Sequence, residues 1–114
     1  MIVDDHANFR ARAQQLLENA GFKVIGSVGD GETALAQLER LRPDIVLLDI
    51  QLPGMDGFSV ATQLTARPKA PIVVLTSSRE RDDYGSRIAD SRAAGFISKA
   101  ELSGDQLRKL MTTR

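Results

Sequence analysis

The sequence predicts an α/β domain built on a parallel sheet, and three features of the chain support that prediction. Two apolar, partly β-branched runs, residues 45–48 and 72–75, are typical of strands that are buried on both faces. Segments of helical period separate such runs along the chain. The length of 114 residues suits one domain with a single core. Strands that alternate with helices pair in parallel through right-handed crossovers, which predicts a three-layer sandwich.

Periodicity and capping residues set the order of the elements. The helical periods end at glycine or before proline, and Asp30, Asp56 and Ser103 are placed as amino-terminal caps. Residues 79–94 are the weakest predicted helix, because they are highly charged and Gly85 costs roughly 1 kcal/mol relative to alanine. Strands are predicted over residues 1–3, 22–28, 45–49, 71–76 and 95–99, and helices over residues 6–20, 32–42, 58–67 and 79–94 and after Ser103.

Five strand–helix units of this kind predict the flavodoxin-like doubly wound parallel sheet, with strand order 2-1-3-4-5. In that order the first and third strands are neighbours at the topological switch point, where open α/β sheets place their chemistry. The strand ends carry polar side chains that are far apart in the sequence. We expect one edge of the sheet to gather Asp4, Asp5, Asp49, Thr76 and Lys99.

Composition limits the classes of function. Cysteine is absent, which excludes disulfides, thiolate metal sites and cysteine nucleophiles. Lysine plus arginine and aspartate plus glutamate both number 15, and such a balance argues against direct binding of nucleic acid or of a membrane surface. No window approaches the length of a membrane span, and the first apolar run ends at two acids, unlike a signal peptide. A cytoplasmic domain is the expectation.

The polar groups at the strand ends suit phosphoryl chemistry. Three clustered carboxylates repel one another, which raises the pKa of at least one unless a cation intervenes. Oxygen ligands favour Mg²⁺, or Mn²⁺, over zinc. A carboxylate beside such an ion can attack a phosphoryl group and hold it as an acyl phosphate. Asp49 is the candidate acceptor, Lys99 would neutralise the phosphoryl oxygens, and the Thr76 hydroxyl would donate a hydrogen bond to one of them.

Four motifs, in this order and on these elements, resemble the receiver domain of a bacterial two-component response regulator. The resemblance spans essentially the whole chain, residues 1–114. It implies a phosphoacceptor signalling domain, and not a separate enzyme, that assists its own phosphorylation and dephosphorylation. The motifs are residues 2–6 (IVDDH), 47–57 (LLDIQLPGMDG), 74–78 (VLTSS) and 95–99 (GFISK).

The resemblance assigns a role to each group at the strand ends. It implies that Asp49 takes a phosphoryl group from a phosphohistidine. Asp5 and Asp49 would ligate Mg²⁺ directly, the backbone carbonyl of Gln51 would be a third ligand, and Asp4 would act through a bound water. Of the flanking residues, His6 is interpreted as a surface residue at a helix start.

The resemblance also implies a switch. Thr76 and Lys99 would contact the phosphoryl group, and Phe96 matches the aromatic side chain that swings inward when Thr76 moves. The surface around the fourth and fifth strand–helix units would then change. The implied partners are a sensor histidine kinase or phosphotransfer protein, a downstream protein or tethered output domain, and a second copy in a phosphorylation-dependent homodimer.

Two features depart from the family pattern. Ala100 follows Lys99 where the family commonly has proline after a cis peptide, which leaves the geometry of that bond open. The first strand begins at Met1, and its shortness suggests that upstream residues are missing. No output domain follows in the sequence, so a single-domain regulator and the receiver part of a longer protein are both expected possibilities.

Three rival functions share parts of this pattern. A phosphatase or ATPase with an aspartate nucleophile normally has a second acid two residues later, where this chain has Gln51. A flavodoxin would need a loop rich in hydroxyls and glycine after the first strand, where this chain has Asp4, Asp5 and His6. A pseudo-receiver would signal by docking alone, without phosphorylation.

Overall fold

The computed structural model describes residues 1–112 and contains a five-stranded parallel sheet in the order β2-β1-β3-β4-β5. The predicted fold is therefore confirmed. The elements are β1 Ile2–Val3, α1 Ala7–Asn19, β2 Ser27–Val28, α2 Gly31–Leu41, β3 Ile45–Asp49, α3 Gly57–Thr65, β4 Ile72–Ser77, a 3-10 helix Arg81–Tyr84, α4 Arg87–Asp90, β5 Gly95–Ser98, a 3-10 helix Lys99–Glu101 and α5 Gly104–Thr112.

The core has two parts, one on each face of the sheet. Alternate residues of β3 point to opposite faces, so Leu48 joins the cluster under α2 and α3 while Leu47 joins the cluster under α1. Both sets are buried, which explains why the central strands are continuous apolar runs. The cluster under α1 also contains Phe9 of that helix and Leu107 of α5.

Strand register brings the functional side chains to one edge. Asp49, the last residue of β3, pairs with Thr76 of β4. Val3 of β1 pairs with Leu48, so the acids that follow β1 emerge beside Asp49. Ser98 of β5 pairs with Ser77, and Lys99 follows directly. Because all five strands are parallel, these ends meet at the same edge of the sheet.

The capping predictions are confirmed. The Asp30 carboxylate accepts a hydrogen bond from the Thr33 N–H at 2.7 Å, and the Asp56 carboxylate accepts one from the Ser59 N–H at 2.9 Å. The Ser103 hydroxyl oxygen accepts a hydrogen bond from the Gln106 N–H at 3.1 Å. Each cap pairs an amide that the first helical turn leaves without a partner.

The prediction for the second strand is wrong in length. Residues 22–28 were expected to form it, but β2 contains only Ser27 and Val28. In the described part of the chain β2 pairs with β1 alone, and the pairing is limited to Ile2 with Ser27 and Val3 with Val28. A strand forms only where a neighbouring strand satisfies its backbone, so the length of β1 limits β2.

The helix predicted over residues 79–94 is also wrong. The structure divides this stretch into the 3-10 helix Arg81–Tyr84 and the four-residue α4, which lie on either side of Gly85. Gly85 has φ +57° and ψ −132°, a conformation that ends the helix. Only Ile88 and Ser91 are buried between residues 79 and 94, so little packing holds a longer helix here.

The peptide bond between Lys99 and Ala100, whose geometry the sequence left open, is trans. Among residues 1–112 every other peptide bond is trans as well. Within the same range no helix combines the length and the apolar character needed to cross a membrane.

Replacing Gly57 by alanine tests how closely α3 approaches the end of β3. The added Cβ would lie 2.3 Å from the Asp49 carbonyl oxygen and 2.5 Å from Ile50 Cα, both backbone atoms that cannot move aside cheaply. We expect Gly57→Ala to lower the free energy of unfolding by about 2 kcal/mol or more, measured by urea denaturation. Ser59→Ala, at an exposed position of the same helix, is the control and should change little. Equal stability of the two variants would contradict the close approach.

Candidate functional site

Four ionisable side chains from two strand ends form what we call the acidic cluster: Asp4, Asp5, His6 and Asp49. One ligand atom of each lies within 4.8 Å of the others. Asp4 and Asp49 are buried, with 0% and 2% of their surface exposed, whereas Asp5 and His6 are exposed at the rim. The predicted convergence of Asp4, Asp5 and Asp49 is therefore observed.

Lys99 is an ion-pair partner of both buried carboxylates. Its Nζ lies 2.6 Å from Asp4 Oδ2, outside hydrogen-bond angles, and 3.4 Å from Asp49 Oδ2, to which it donates a hydrogen bond. The lysine side chain is only 15% exposed, so this ion-pair network lies mostly out of water. A buried carboxylate is costly unless it is paired, and one ammonium here serves two.

Local backbone contacts hold both buried carboxylates in place. The N–H of His6 donates to Asp4 Oδ1 at 2.8 Å, and the N–H of Gln51 donates to Asp49 Oδ1 at 3.1 Å. The Arg10 guanidinium donates to the backbone carbonyl of Asp4 at 2.6 Å, which connects α1 to the end of β1. Each carboxylate therefore keeps one oxygen on a backbone amide and turns the other toward Lys99.

The environment of Asp49 favours its neutral form. Burial raises the pKa of this carboxyl from 3.8 to about 6, and the charge of Asp4 raises it as well. The Gln51 N–H and the Lys99 ammonium act in the opposite direction. The prediction that at least one of the clustered carboxylates has a raised pKa is thus confirmed. Burial of Asp49 contributes more to the shift than the repulsion between carboxylates from which it was predicted.

Thr76 lies beside the acidic cluster, and its hydroxyl makes no hydrogen bond within residues 1–112. The residue is 1% exposed, and its Oγ1 has no hydrogen-bond partner among residues 1–112. A buried hydroxyl without a partner costs free energy, commonly about 1–3 kcal/mol. Since Thr76 pairs with Asp49 in the sheet, its hydroxyl is at hand for an acceptor group added there.

The residue after Thr76 connects the site to the aromatic side chains of the neighbouring surface. The hydroxyl of Ser77 lies 2.6 Å from the Tyr84 hydroxyl and accepts a hydrogen bond from the Arg79 N–H at 3.0 Å. The Tyr84 ring lies between Phe58, at 5.8 Å between centroids, and Phe96, at 6.2 Å. Phe96 is half-buried and lies outside the acidic cluster, and its predicted inward swing stays a prediction.

Three contacts escaped the sequence reasoning. His6 is a surface residue at the start of α1, as interpreted, with a side chain that is 67% exposed, but its contacts with Asp4 Oδ1 and Asp5 Oδ1, each 3.2 Å from its Nδ1, were not predicted. Its position directly after the acidic pair was the available signal. The Ser77–Tyr84 pair and the Phe9 ring, 4.6 Å from Lys99 Nζ, had no sequence signal, because each joins residues from separate elements.

The donor set of the acidic cluster fits a divalent cation. Three carboxylates supply the hard oxygen ligands that Mg²⁺ and Mn²⁺ prefer, and the cluster opens to solvent through Asp5. Gln51 is exposed, and its N–H already binds Asp49. The part that the Gln51 carbonyl takes in such a site stays a prediction.

Comparison with known proteins gives a consistent family. A family model described as response regulator receiver domain matches residues 1–112. The DNA-binding transcriptional activator EvgA of Escherichia coli strain K12 is 34% identical over 101 residues, which cover 89% of this chain and 50% of EvgA. The chain thus spans about half the length of this curated relative.

Solved structures resemble the chain over nearly its whole length. The signal receiver domain of the putative response regulator NarL from Mycobacterium tuberculosis has a TM-score of 0.84 at 30% identity, covering 97% of this chain and 94% of that one. The CheX-CheY-BeF3-Mg+2 complex from Borrelia burgdorferi has a TM-score of 0.82 at 26% identity, covering 98% of this chain and 84% of that one.

The raised pKa of Asp49 predicts a pH dependence of stability in protein kept free of divalent cations by a chelator. The folded state binds this proton more tightly than the unfolded state, so stability contributed at low pH is lost as pH rises from 3.8 to about 6. Asp49→Asn removes the ionisation and should raise the free energy of unfolding at pH above 7 by about 1–3 kcal/mol, measured by urea denaturation. Asp56→Asn, an exposed cap that asparagine also serves, is the control. If Asp49→Asn lowered the free energy of unfolding above pH 7, the raised pKa of Asp49 would be contradicted.

Proposed function

Because this chain belongs to the response regulator receiver domain family, we propose that it is a phosphoacceptor signalling domain and that Asp49 is its acceptor. The observation that carries the proposal is the pairing of Asp49 and Asp4 through one buried ammonium, Lys99, at the edge of the sheet. An Asp49 oxygen attacks the phosphorus of a phosphohistidine, and the bond from phosphorus to the histidine nitrogen breaks. The product is an acyl phosphate on Asp49.

The acidic cluster would hold Mg²⁺ beside the acceptor. Asp5 and Asp49 would supply direct carboxylate ligands, the Gln51 carbonyl would supply a third, and the buried Asp4 would act through a water. When bound, the ion neutralises charge on the phosphoryl oxygens and aligns the transfer. Support comes from the 4.8 Å clustering of the side-chain ligand atoms and from the oxygen-rich donor set.

Lys99 and Thr76 complete the phosphoryl site. Lys99 lies 3.4 Å from Asp49 Oδ2, so a phosphoryl group on that carboxylate comes within reach of the ammonium. The Thr76 hydroxyl, which is buried and has no partner within residues 1–112, gains an acceptor in the same step. Both side chains therefore make contacts with the phosphoryl group that are absent from the unmodified protein. The free energy of these contacts favours a second conformation.

The change would spread through the segment between β4 and β5. Thr76 precedes Ser77, whose hydroxyl contacts Tyr84, and Tyr84 packs against Phe96. A shift of Thr76 toward the phosphoryl group disturbs this chain of contacts, and Phe96 moves inward. The short helices of this segment bury few side chains, so their rearrangement costs little.

The proposed partners follow from this role. A sensor histidine kinase or phosphotransfer protein supplies the phosphoryl group in the cytoplasm, and a downstream protein, a tethered output domain or a second copy of the domain reads the altered surface. Exposed charges of both signs between residues 79 and 94 suit such a surface. An enzyme with an aspartate nucleophile is less well supported, because the exposed Gln51 stands where its second acid would be.

The acceptor assignment predicts a covalent adduct. Acetyl phosphate with Mg²⁺ should add one phosphoryl group to the protein, detected by intact-mass analysis, and Asp49→Asn should abolish it. Asp56→Asn, an acid in the following loop, should retain the adduct at the normal level. An adduct on Asp49→Asn, or one that forms equally well with the cation chelated, would contradict the proposal.

The proposed switch predicts a spectroscopic change. Tyr84 is the single tyrosine and tryptophan is absent, so intrinsic fluorescence reports on the surroundings of Tyr84, which include its contacts with Ser77 and Phe96. Beryllofluoride with Mg²⁺ should change this fluorescence in the unaltered protein. Thr76→Val replaces the hydroxyl with a methyl group of similar size, and it should lose most of the change while beryllofluoride still binds. A full change in Thr76→Val would show that the hydroxyl does not transmit the signal.

A further inference from the structure

The ring of Phe9 faces the ammonium of Lys99. Lys99 Nζ lies 4.6 Å from the ring centroid, within the range of a cation–π interaction. We infer that Phe9 is a positioning residue, which holds the Lys99 ammonium over the acceptor while the charges around it change. The inference rests on the proposed function of Lys99 as a phosphoryl contact.

Burial makes this contact stronger than a surface pair of the same kind. Phe9 is 7% exposed, and the Lys99 side chain is 15% exposed. Cation–π attraction is worth least at hydrated sites and most where the cation has lost its water. Phe9 also belongs to the core cluster with Ala13 and Leu17 of the same helix, so its ring is held in place by packing.

The other partners of Lys99 are the groups that change during phosphorylation. Asp4 and Asp49 hold the ammonium at 2.6 and 3.4 Å, and both carboxylates are assigned to the divalent cation in the proposed function. A cation bound there would compete with Lys99 for the negative charge of these two carboxylates. The lysine stem is a flexible four-carbon chain, so the ammonium would then be free to swing away. The aromatic ring takes no part in metal or phosphoryl ligation and remains as a constant partner.

A matched aromatic–cation pair lies elsewhere in the chain. The Arg108 guanidinium carbon lies 4.8 Å from the centroid of the Phe22 ring. Phe22 packs near the amino-terminal ends of the strands, against the same apolar core cluster as Phe9. It therefore lies away from the acidic cluster at the carboxyl ends. Phe22→Leu therefore removes the same atoms and the same kind of contact as Phe9→Leu, without touching Lys99.

The experiment measures the affinity of beryllofluoride in the presence of Mg²⁺, with Tyr84 fluorescence as the signal and isothermal calorimetry as the check. Phe9→Leu should weaken binding by roughly 5- to 30-fold, the range that a cation–π contact supports between an exposed and a desolvated site. Phe22→Leu should leave the affinity unchanged. In a Lys99→Met background the further substitution Phe9→Leu should have no effect, because the cation that the ring holds is gone.

A second measurement removes any effect of side-chain shape. Phenylalanine analogues with an increasing number of ring fluorines at position 9 nearly keep the size of the ring and progressively weaken its negative face. Beryllofluoride affinity should fall stepwise along this series in the protein with Lys99. It should stay constant along the series in the Lys99→Met protein.

The outcomes separate the two proposals. If Phe9→Leu weakens binding by the same factor in the Lys99→Met background as in the protein that retains Lys99, Phe9 acts through the fold and the positioning role is overturned. A flat fluorination series overturns it as well. If the unaltered protein binds no beryllofluoride and forms no adduct on Asp49, the proposed function fails first, and the role of Phe9 fails with it.

Discussion

One ammonium shared by two buried carboxylates is the interaction around which the functional edge of this domain is built. Asp4 and Asp49 lie at adjacent strand ends and are almost fully buried, and Lys99 is a cation that contacts both. Burying either carboxylate alone would be costly, and burying both would add their repulsion. The arrangement persists because backbone amides satisfy one oxygen of each acid and Lys99 neutralises the other. In the proposed function, a divalent cation and a phosphoryl group would replace these contacts at the same side chains.

The parallel sheet makes this arrangement possible, because it delivers residues from several strands to a single edge. The pairing of Asp49 with Thr76, and of Val3 with Leu48, sets their separation through backbone hydrogen bonds. The positions of these side chains are therefore set by the backbone pairing of the buried strands. Gly57 contributes at the same edge, since the absence of a Cβ lets α3 begin against the backbone of Asp49.

The segment between β4 and β5 contrasts with this well-packed edge. It contains two short helices separated by Gly85, and its hydroxyl contact between Ser77 and Tyr84 starts one residue after Thr76. The proposed phosphorylation switch would combine the firmly held Asp49 with this weakly packed segment. In that proposal Asp49 would hold the added charge in one geometry, and the few buried side chains of the segment would make a second arrangement inexpensive.

Local patterns in the chain were enough to establish the sheet, its strand order and the residues at its edge. The apolar runs of β3 and β4 are typical of strands buried on both faces, and alternation with helices makes them parallel. Other features emerged only from the folded molecule: the short β2, and the contacts of Phe9 with Lys99 and of Ser77 with Tyr84. These features depend on which residues of separate elements meet across the fold, and no local pattern records such a meeting.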